Sequence, residues 1–334
     1  MNKNLLLAFA VLAASTPTAR AADVYLAVGP GGQRMFATDG QTWENHVAWG
    51  EPKHDQNDLN CAAFFKGTAY VGGGYFSGRL TATRDGKTWS EGVLPKSSPI
   101  FGLEVLKDGH GAEMLYAVTL RGQVYKTADG ENWTLVGAPQ MPSPTHWIRF
   151  TKQGNGILLG SGDFGPALAF DPKTEQITVT QMAGQTVKNP GFRSVAYGAG
   201  TFVVCGQDGL LAATKDGLAW QNNETHPERG NITSVVWVDD RFIAVAKDHG
   251  TLISKDGVEW TSQETKLPSS VLTAGQWVYA KGWPPSKVQC SRDGVKWEPM
   301  PNEKSYFVHA VAFGDLAGSG SPPILPGGGE KVTR

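Results

Sequence analysis

The chain has 334 residues and a formal net charge of -1, which argues against a broad electrostatic pull on nucleic acid or anionic membranes. With 40% hydrophobic and 10% aromatic residues, it is too apolar to remain disordered. Its 42 glycines, scattered among Val, Phe, Tyr and Trp, point to many short strands joined by tight turns.

Residues 1–21 read as an export signal. Lys3 supplies the positive start, Leu5 to Ala14 the short apolar run, and Ala19-Arg20-Ala21 a small-x-small cleavage site before Ala22. A periplasmic or secreted protein is expected. No cysteine follows the cut, so no lipid anchor is expected, and no later stretch reaches the roughly 18 apolar residues of a membrane span. Three cysteines, Cys61, Cys205 and Cys290, cannot all pair with one another. Each sits in a strand-like run and reads as a buried thiol.

Directly after the cut, Val24 to Val28 reads as a strand. From there the chain repeats. Six segments share an Asp-Gly pair followed three residues later by Trp: Asp39 to Trp43, Asp85 to Trp89, Asp129 to Trp133, Asp216 to Trp220, Asp256 to Trp260, and Asp293 to Trp297. The aspartates are 46, 44, 87, 40 and 37 residues apart. The doubled interval predicts a decayed copy midway, and Phe170-Asp171-Pro172-Lys173 lies there. Seven units result. Asp-Gly suits a tight turn, because Gly takes a positive φ and the Asp carboxylate accepts nearby backbone N–H groups. In five of the six full copies a Ser or Thr two residues before the Asp joins that network. Six equivalent aspartates cannot converge on one substrate, so their chemistry is structural.

Each unit reads as four strands. In the fifth, these are Arg193 to Tyr197, Phe202 to Cys205, Leu210 to Thr214 and Ala219 to Asn222. In the sixth, they are Thr233 to Trp237, Phe242 to Ala246, Thr251 to Ser254 and Glu259 to Ser262. The C-terminal Phe307 to Gly314 repeats Phe192 to Gly198 and is an inner strand with nothing after it. It is expected to complete the first blade and close the ring. The expected fold is all-β: a seven-bladed β-propeller of four-stranded antiparallel blades over residues 22–314. Residues 315–334, rich in Gly, Ser and Pro, are expected to form a loose tail.

The Asp-Gly segments resemble the Asp-box, or BNR, repeats of sialidases and related propellers. The usual form has one more residue between Asp and Gly. The contracted form resembles repeats of photosystem II assembly-factor propellers and of bacterial surface proteins. The resemblance covers nearly all of the mature chain and implies fold more than activity.

In such blades the Asp-Gly turns share one face with the A–B turns. The B–C and D–A loops lie on the other face, and a ligand is expected there. At the start of the inner strands the aligned residues are Asn60, Arg149, Arg193, Thr233 and His309. The B–C loops add Tyr75, Phe76, Arg79, Arg121, Asp163, Asp208, Asp248, His249 and Trp283. Arginine suits carboxylate, sulfate or phosphate. These opposite charges also have a plainer reading as mutual salt bridges, and His309 one as a structural histidine. Of the D–A loops, residues 47–59 carry Trp49, Glu51, His54 and Asp58, and residues 138–148 carry His146 and Trp147.

The sialidase resemblance implies an arginine triad, a tyrosine nucleophile paired with glutamate, and an acid aspartate. Arg149, Arg193 and Arg121 match it in kind, with Tyr75 and one of Asp163, Asp208 or Asp248. The family's Phe-Arg-Ile-Pro signature is absent: Arg34 lies in Gly32-Gln33-Arg34-Met35, on a strand C away from the axis. Sialidases also have six blades. No metal-ligand spacing, phosphate loop or nucleophile elbow is present, and no cofactor is expected. The expected function is a non-catalytic, monomeric binding propeller for a protein partner or an anionic glycan. The rival is a carbohydrate-active enzyme on the same face, either a glycosidase with paired carboxylates or a polysaccharide lyase.

Overall fold

A computed structural model describes residues 22–47, 58–162, 165–181, 191–221, 226, 229–247, 249–265, 267, 270–281, 288–300 and 308–327. The export signal, Trp49, His54, Asp163, Asp248 and Trp283 lie outside them.

The described strands form seven four-stranded antiparallel sheets. The innermost strand A of blades 1 to 7 is Ala310–Leu316, Leu59–Phe65, Ile100–Lys107, Phe150–Gly154, Ser194–Gly198, Ile232–Val238 and Ser270–Ala274. Each touches strand A of the next blade, and blade 7 touches blade 1. The C-terminal strand pairs with Ala22–Val28 from Ala22↔Leu316 to Val28↔Ala310. One blade thus joins both ends of the chain, and the ring has no open edge.

Local chemistry sets the hairpins. Lys66-Gly67, Asn155-Gly156 and Ala199-Gly200 each link strand A to strand B, and all six residues have positive φ. Such two-residue turns match the right-handed twist of paired strands. The Asp-Gly turns follow the expected network. Asp85 Oδ1 accepts N–H bonds from Lys87 at 2.8 Å and Thr88 at 2.7 Å, and Thr83 Oγ1 accepts from Gly86 at 2.9 Å. The decayed copy keeps part of it, with the Lys173 N–H donating to Asp171 Oδ1 at 2.8 Å. Trp133, Trp260 and Trp297 fold back over their turns, and each indole donates to the Gly carbonyl at 3.1–3.2 Å.

The core is seven clusters of buried apolar side chains, one at each blade–blade interface. Strands B and C are buried on both faces, as sheets packed between two neighbours must be. The turn glycines also belong to these interfaces. A Cβ at Gly130 would lie 1.7 Å from Tyr70 Oη in blade 2, and one at Gly294 would lie 2.2 Å from Ile243 Cδ1 in blade 6. Glycine is therefore required twice there, by φ and by the neighbouring blade.

The structure departs from the sequence reading at the C-terminus. Strand A of blade 1 runs to Leu316, two residues past its expected end at Gly314. Residues 317–327 then pack on blade 2 rather than hanging loose, and Leu325 is only 3% exposed. The Gly, Ser and Pro content suggested a loose tail, but an apolar Ile-Leu pair lies within that run.

Candidate binding face opposite the Asp-Gly turns

The seven A strands enclose a channel of about 610 Å³. Its polar lining is concentrated in blades 2 to 5, where Asn60, Glu104, Arg149, Thr151, Lys152 and Gln153 stand among apolar residues such as Phe64, Leu103 and Val195. Blades 6, 7 and 1 contribute mainly Val, Leu, Ala, Trp237 and Phe313.

At the mouth of the channel each of six A strands carries a residue that breaks the ladder in the same place. In blades 2, 3 and 6 the register shifts at Asn60, Phe101 and Thr233. In blades 4, 5 and 1 the N–H of Arg149, Arg193 or His309 bonds the carbonyl already opposed by the following residue, at 2.9, 2.9 and 2.8 Å. Two residues facing one is a β-bulge, which re-aims a side chain. The repeat thus presents one variable residue per blade at the mouth. Phe101 belongs to this set, although its apolar side chain gave no sign of it in the sequence.

The bulge side chains take different roads. Arg149 lines the channel, with its guanidinium carbon 4.9 Å from the Trp147 ring centroid and 5.5 Å from that of Phe101. Both rings lie within cation–π range of the guanidinium. Arg193, one blade on, is exposed and does not line the channel. Asn60 lines the channel and donates Nδ2–H to the Ile100 carbonyl at 3.2 Å.

The His309 Nδ1 lies 3.1 Å from the Leu59 carbonyl oxygen. Burial lowers its pKa, the Lys281 ammonium adds to the effect, and Asp58 opposes it. The Lys281 ammonium donates to the Val308 carbonyl, and burial pulls its pKa down to about 8.

Among the loop residues, Tyr75 and Phe76 project at the blade 2 B–C loop, 54% and 76% exposed, with ring planes at 87° and centroids 4.5 Å apart. Arg121 donates to the Pro144 carbonyl, bracing the blade 3 loop against the one that carries Trp147. Its observed partner is thus a backbone oxygen rather than a carboxylate. Asp208 is exposed on a turn at φ 51, and its backbone is held by Asn231 Oδ1 at 3.1 Å. Arg34 is buried in strand C of blade 1 with its guanidinium 4.3 Å from the Trp89 ring centroid, away from the axis as expected.

Glu104 was not singled out by the sequence reading. Its side chain faces the channel from the middle of blade 3, and Thr151 Oγ1 donates to its Oε1 at 3.4 Å. Burial raises its pKa to about 7, against the pull of Lys152 and Thr151. An acidic residue within the otherwise apolar run Ile100 to Leu106 was the available signal. Among the described residues no group of three or more His, Cys, Asp or Glu could hold a metal ion. No helix among them is long and apolar enough to cross a membrane.

Closed ring, repeated turns and a bulge-lined mouth define a seven-bladed β-propeller. No family model matches the chain, and no curated protein matches it. Solved structures share the fold. YCF48 from Cyanidioschyzon merolae is 17% identical with a TM-score of 0.56, over 80% of this chain and 94% of that one. YCF48 bound to D1 peptide is 16% identical with a TM-score of 0.56, over 86% and 94%. The computationally designed Ika8 protein is 12% identical with a TM-score of 0.54, over 89% and 91%.

Proposed function

We propose that this protein is a non-catalytic binding propeller that holds an acidic segment of a protein partner on the face opposite its Asp-Gly turns. The observation that carries the reading is Arg149, which lines the channel with its guanidinium within cation–π range of both Trp147 and Phe101. A guanidinium presents a planar fork of donors that suits a carboxylate. Arg193 occupies the equivalent bulge of the next blade, and the exposed Tyr75–Phe76 pair adds an apolar anchor on the same face. A protein of similar fold, YCF48, has a structure bound to D1 peptide, which supports a peptide ligand here. An anionic glycan would use the same arginines, and the test separates the two.

The mature chain from Ala22 is screened against acidic peptides and against a glycan array that also reports hydrolysis and elimination. Saturable binding to acidic peptides is expected, abolished by Arg149→Ala with Arg193→Ala at unchanged melting temperature. Binding only to anionic glycans would shift the ligand class. Turnover of any glycan would make the protein an enzyme, and binding untouched by the double variant would move the site elsewhere.

We also propose export with cleavage before Ala22. Ala22 opens strand B of blade 1, so the cut would leave whole the strand that pairs with the C-terminal one. Intact mass of the exported product should give a chain beginning at Ala22. An uncleaved product retained in the cytoplasm contradicts this.

A further inference from the structure

The segment after the ring-closing strand is docked like a peptide. It crosses blade 2 on the Asp-Gly side, where the N–H of Ala317 donates to Gly67 O at 2.9 Å and that of Gly318 to Arg84 O at 2.8 Å. Arg84 Nη1 donates to Ser321 O at 2.9 Å. The segment then climbs the rim, where Pro326 O accepts the N–H of Val93, on outer strand D of blade 2, at 2.7 Å. Between these points Pro322 and Pro323 are buried, and Leu325 enters the core shared by blades 2 and 3 beside Tyr70, Leu80, Leu94 and Tyr125. Gly92 makes room: a Cβ there would lie 2.5 Å from Leu325 Cβ and 2.6 Å from Pro326 O.

These are the marks of peptide recognition by edge addition and by a side-chain pocket. One main-chain bond to the outer strand and two to the blade 2 turns set direction, and one apolar anchor fills a pocket. Prolines pre-set the extended backbone and reduce the entropy lost on docking. A groove of about 530 Å³ continues beside the segment, lined by Glu131, Asn132, Trp133 and Thr134 of blade 3. Ile324, 76% exposed, overhangs it. The run Gly318-Ser319-Gly320-Ser321 becomes a flexible tether by composition once its bonds to Arg84 are released. A short flexible tether supplies its own ligand at roughly millimolar effective concentration, so the cleft can be full in cis while its intrinsic affinity is modest.

We propose that the rim cleft between blades 2 and 3 is a second peptide-binding site, filled in cis by residues 317–327. It takes an extended Pro-Pro-Ile-Leu-Pro segment with the leucine as anchor. The site is independent of the channel-mouth reading, since no residue is shared.

The test uses a fluorescent peptide of residues 317–327 and three mature chains: the full chain, the full chain carrying Leu325→Asp to release its own segment, and a chain ending at Leu316. Saturable binding to the last two and none to the first is expected. A peptide with Leu325→Ala should bind about tenfold more weakly or worse. Adding Gly92→Ala to the shortened chain should abolish binding with the fold retained, because the new methyl occupies the leucine's place. A folded shortened or Leu325→Asp chain that does not bind overturns the proposal. So does binding indifferent to Leu325→Ala or to Gly92→Ala. If neither altered chain folds, the segment is an integral part of the ring and not a docked ligand.

Discussion

Tyr279, in strand B of the last blade, donates its phenolic hydrogen to the carbonyl of Gly40, in the first Asp-Gly turn, at 2.8 Å. Beside it the Trp277 indole donates to the Asp39 carbonyl at 2.8 Å. These bonds join blades distant in sequence across the seam where the ring closes. Burial raises the Tyr279 pKa, so the hydroxyl stays a donor.

The seam gives a graded pair of variants. Tyr279→Phe keeps the ring and loses the bond, and should cost about 1 kcal/mol in denaturant unfolding. Gly40→Ala adds a Cβ 2.3 Å from Trp277 Cδ1 at φ +77, so strain and clash combine to a loss of roughly 2 kcal/mol or more. Equal, small effects of the two substitutions would contradict this account of closure.

The turn aspartates set the acid limit of stability. Asp39, Asp256 and Asp293 are held below the usual carboxylate range chiefly by the backbone N–H groups of Thr42, Glu259 and Lys296. Burial opposes this most strongly at Asp85, Asp129 and Asp216, yet their hydrogen-bond donors prevail. Depressed folded values mean that the folded state binds fewer protons. The contribution is therefore fully present above the unfolded value of about 3.9 and lost as pH falls through the folded values. Melting temperature should fall steeply below about pH 4, and less steeply when Asp216 and Asp256 are both replaced by Asn. A slope unchanged by the double replacement would contradict the assignment.

Glu104 acts in the opposite sense. Its folded pKa is raised to about 7, above an unfolded value of about 4.3. Its contribution is intact below the unfolded value and is lost as pH rises through the folded one. Glu104→Gln should therefore be more stable than the parent at pH 8 and equal to it near pH 4, measured by urea unfolding at both. A parent more stable than Glu104→Gln at pH 8 would mean that Lys152 outweighs burial.

Much of this molecule was legible because its signals are local. An Asp-Gly pair states its own turn, and six copies with one doubled interval count the blades. The match of Phe307–Gly314 to Phe192–Gly198 announced closure, because an inner strand without a blade must borrow one. Side-chain direction was harder to read. Arg149 and Arg193 occupy equivalent bulges, but only Arg149 lines the channel, beside the loop residue Trp147 and the unrecognised bulge residue Phe101. Arg121 is bound to a loop carbonyl, which no spacing rule expresses. The segment from 317 has the composition of a loose tail because Gly, Ser and Pro outnumber the one leucine that anchors it. Glu104 sits mid-strand, where the strand ends give no clue to it.

The central claim is that the face opposite the Asp-Gly turns binds a partner. Hydrogen exchange of the mature protein, with and without the acidic peptide selected by array, tests it most directly. Protection is expected at residues 74–78, 144–149 and 193–194, with the Asp-Gly turns at 85–89, 129–133 and 256–260 unchanged. Protection confined to those turns, with the channel mouth unaffected, would contradict it.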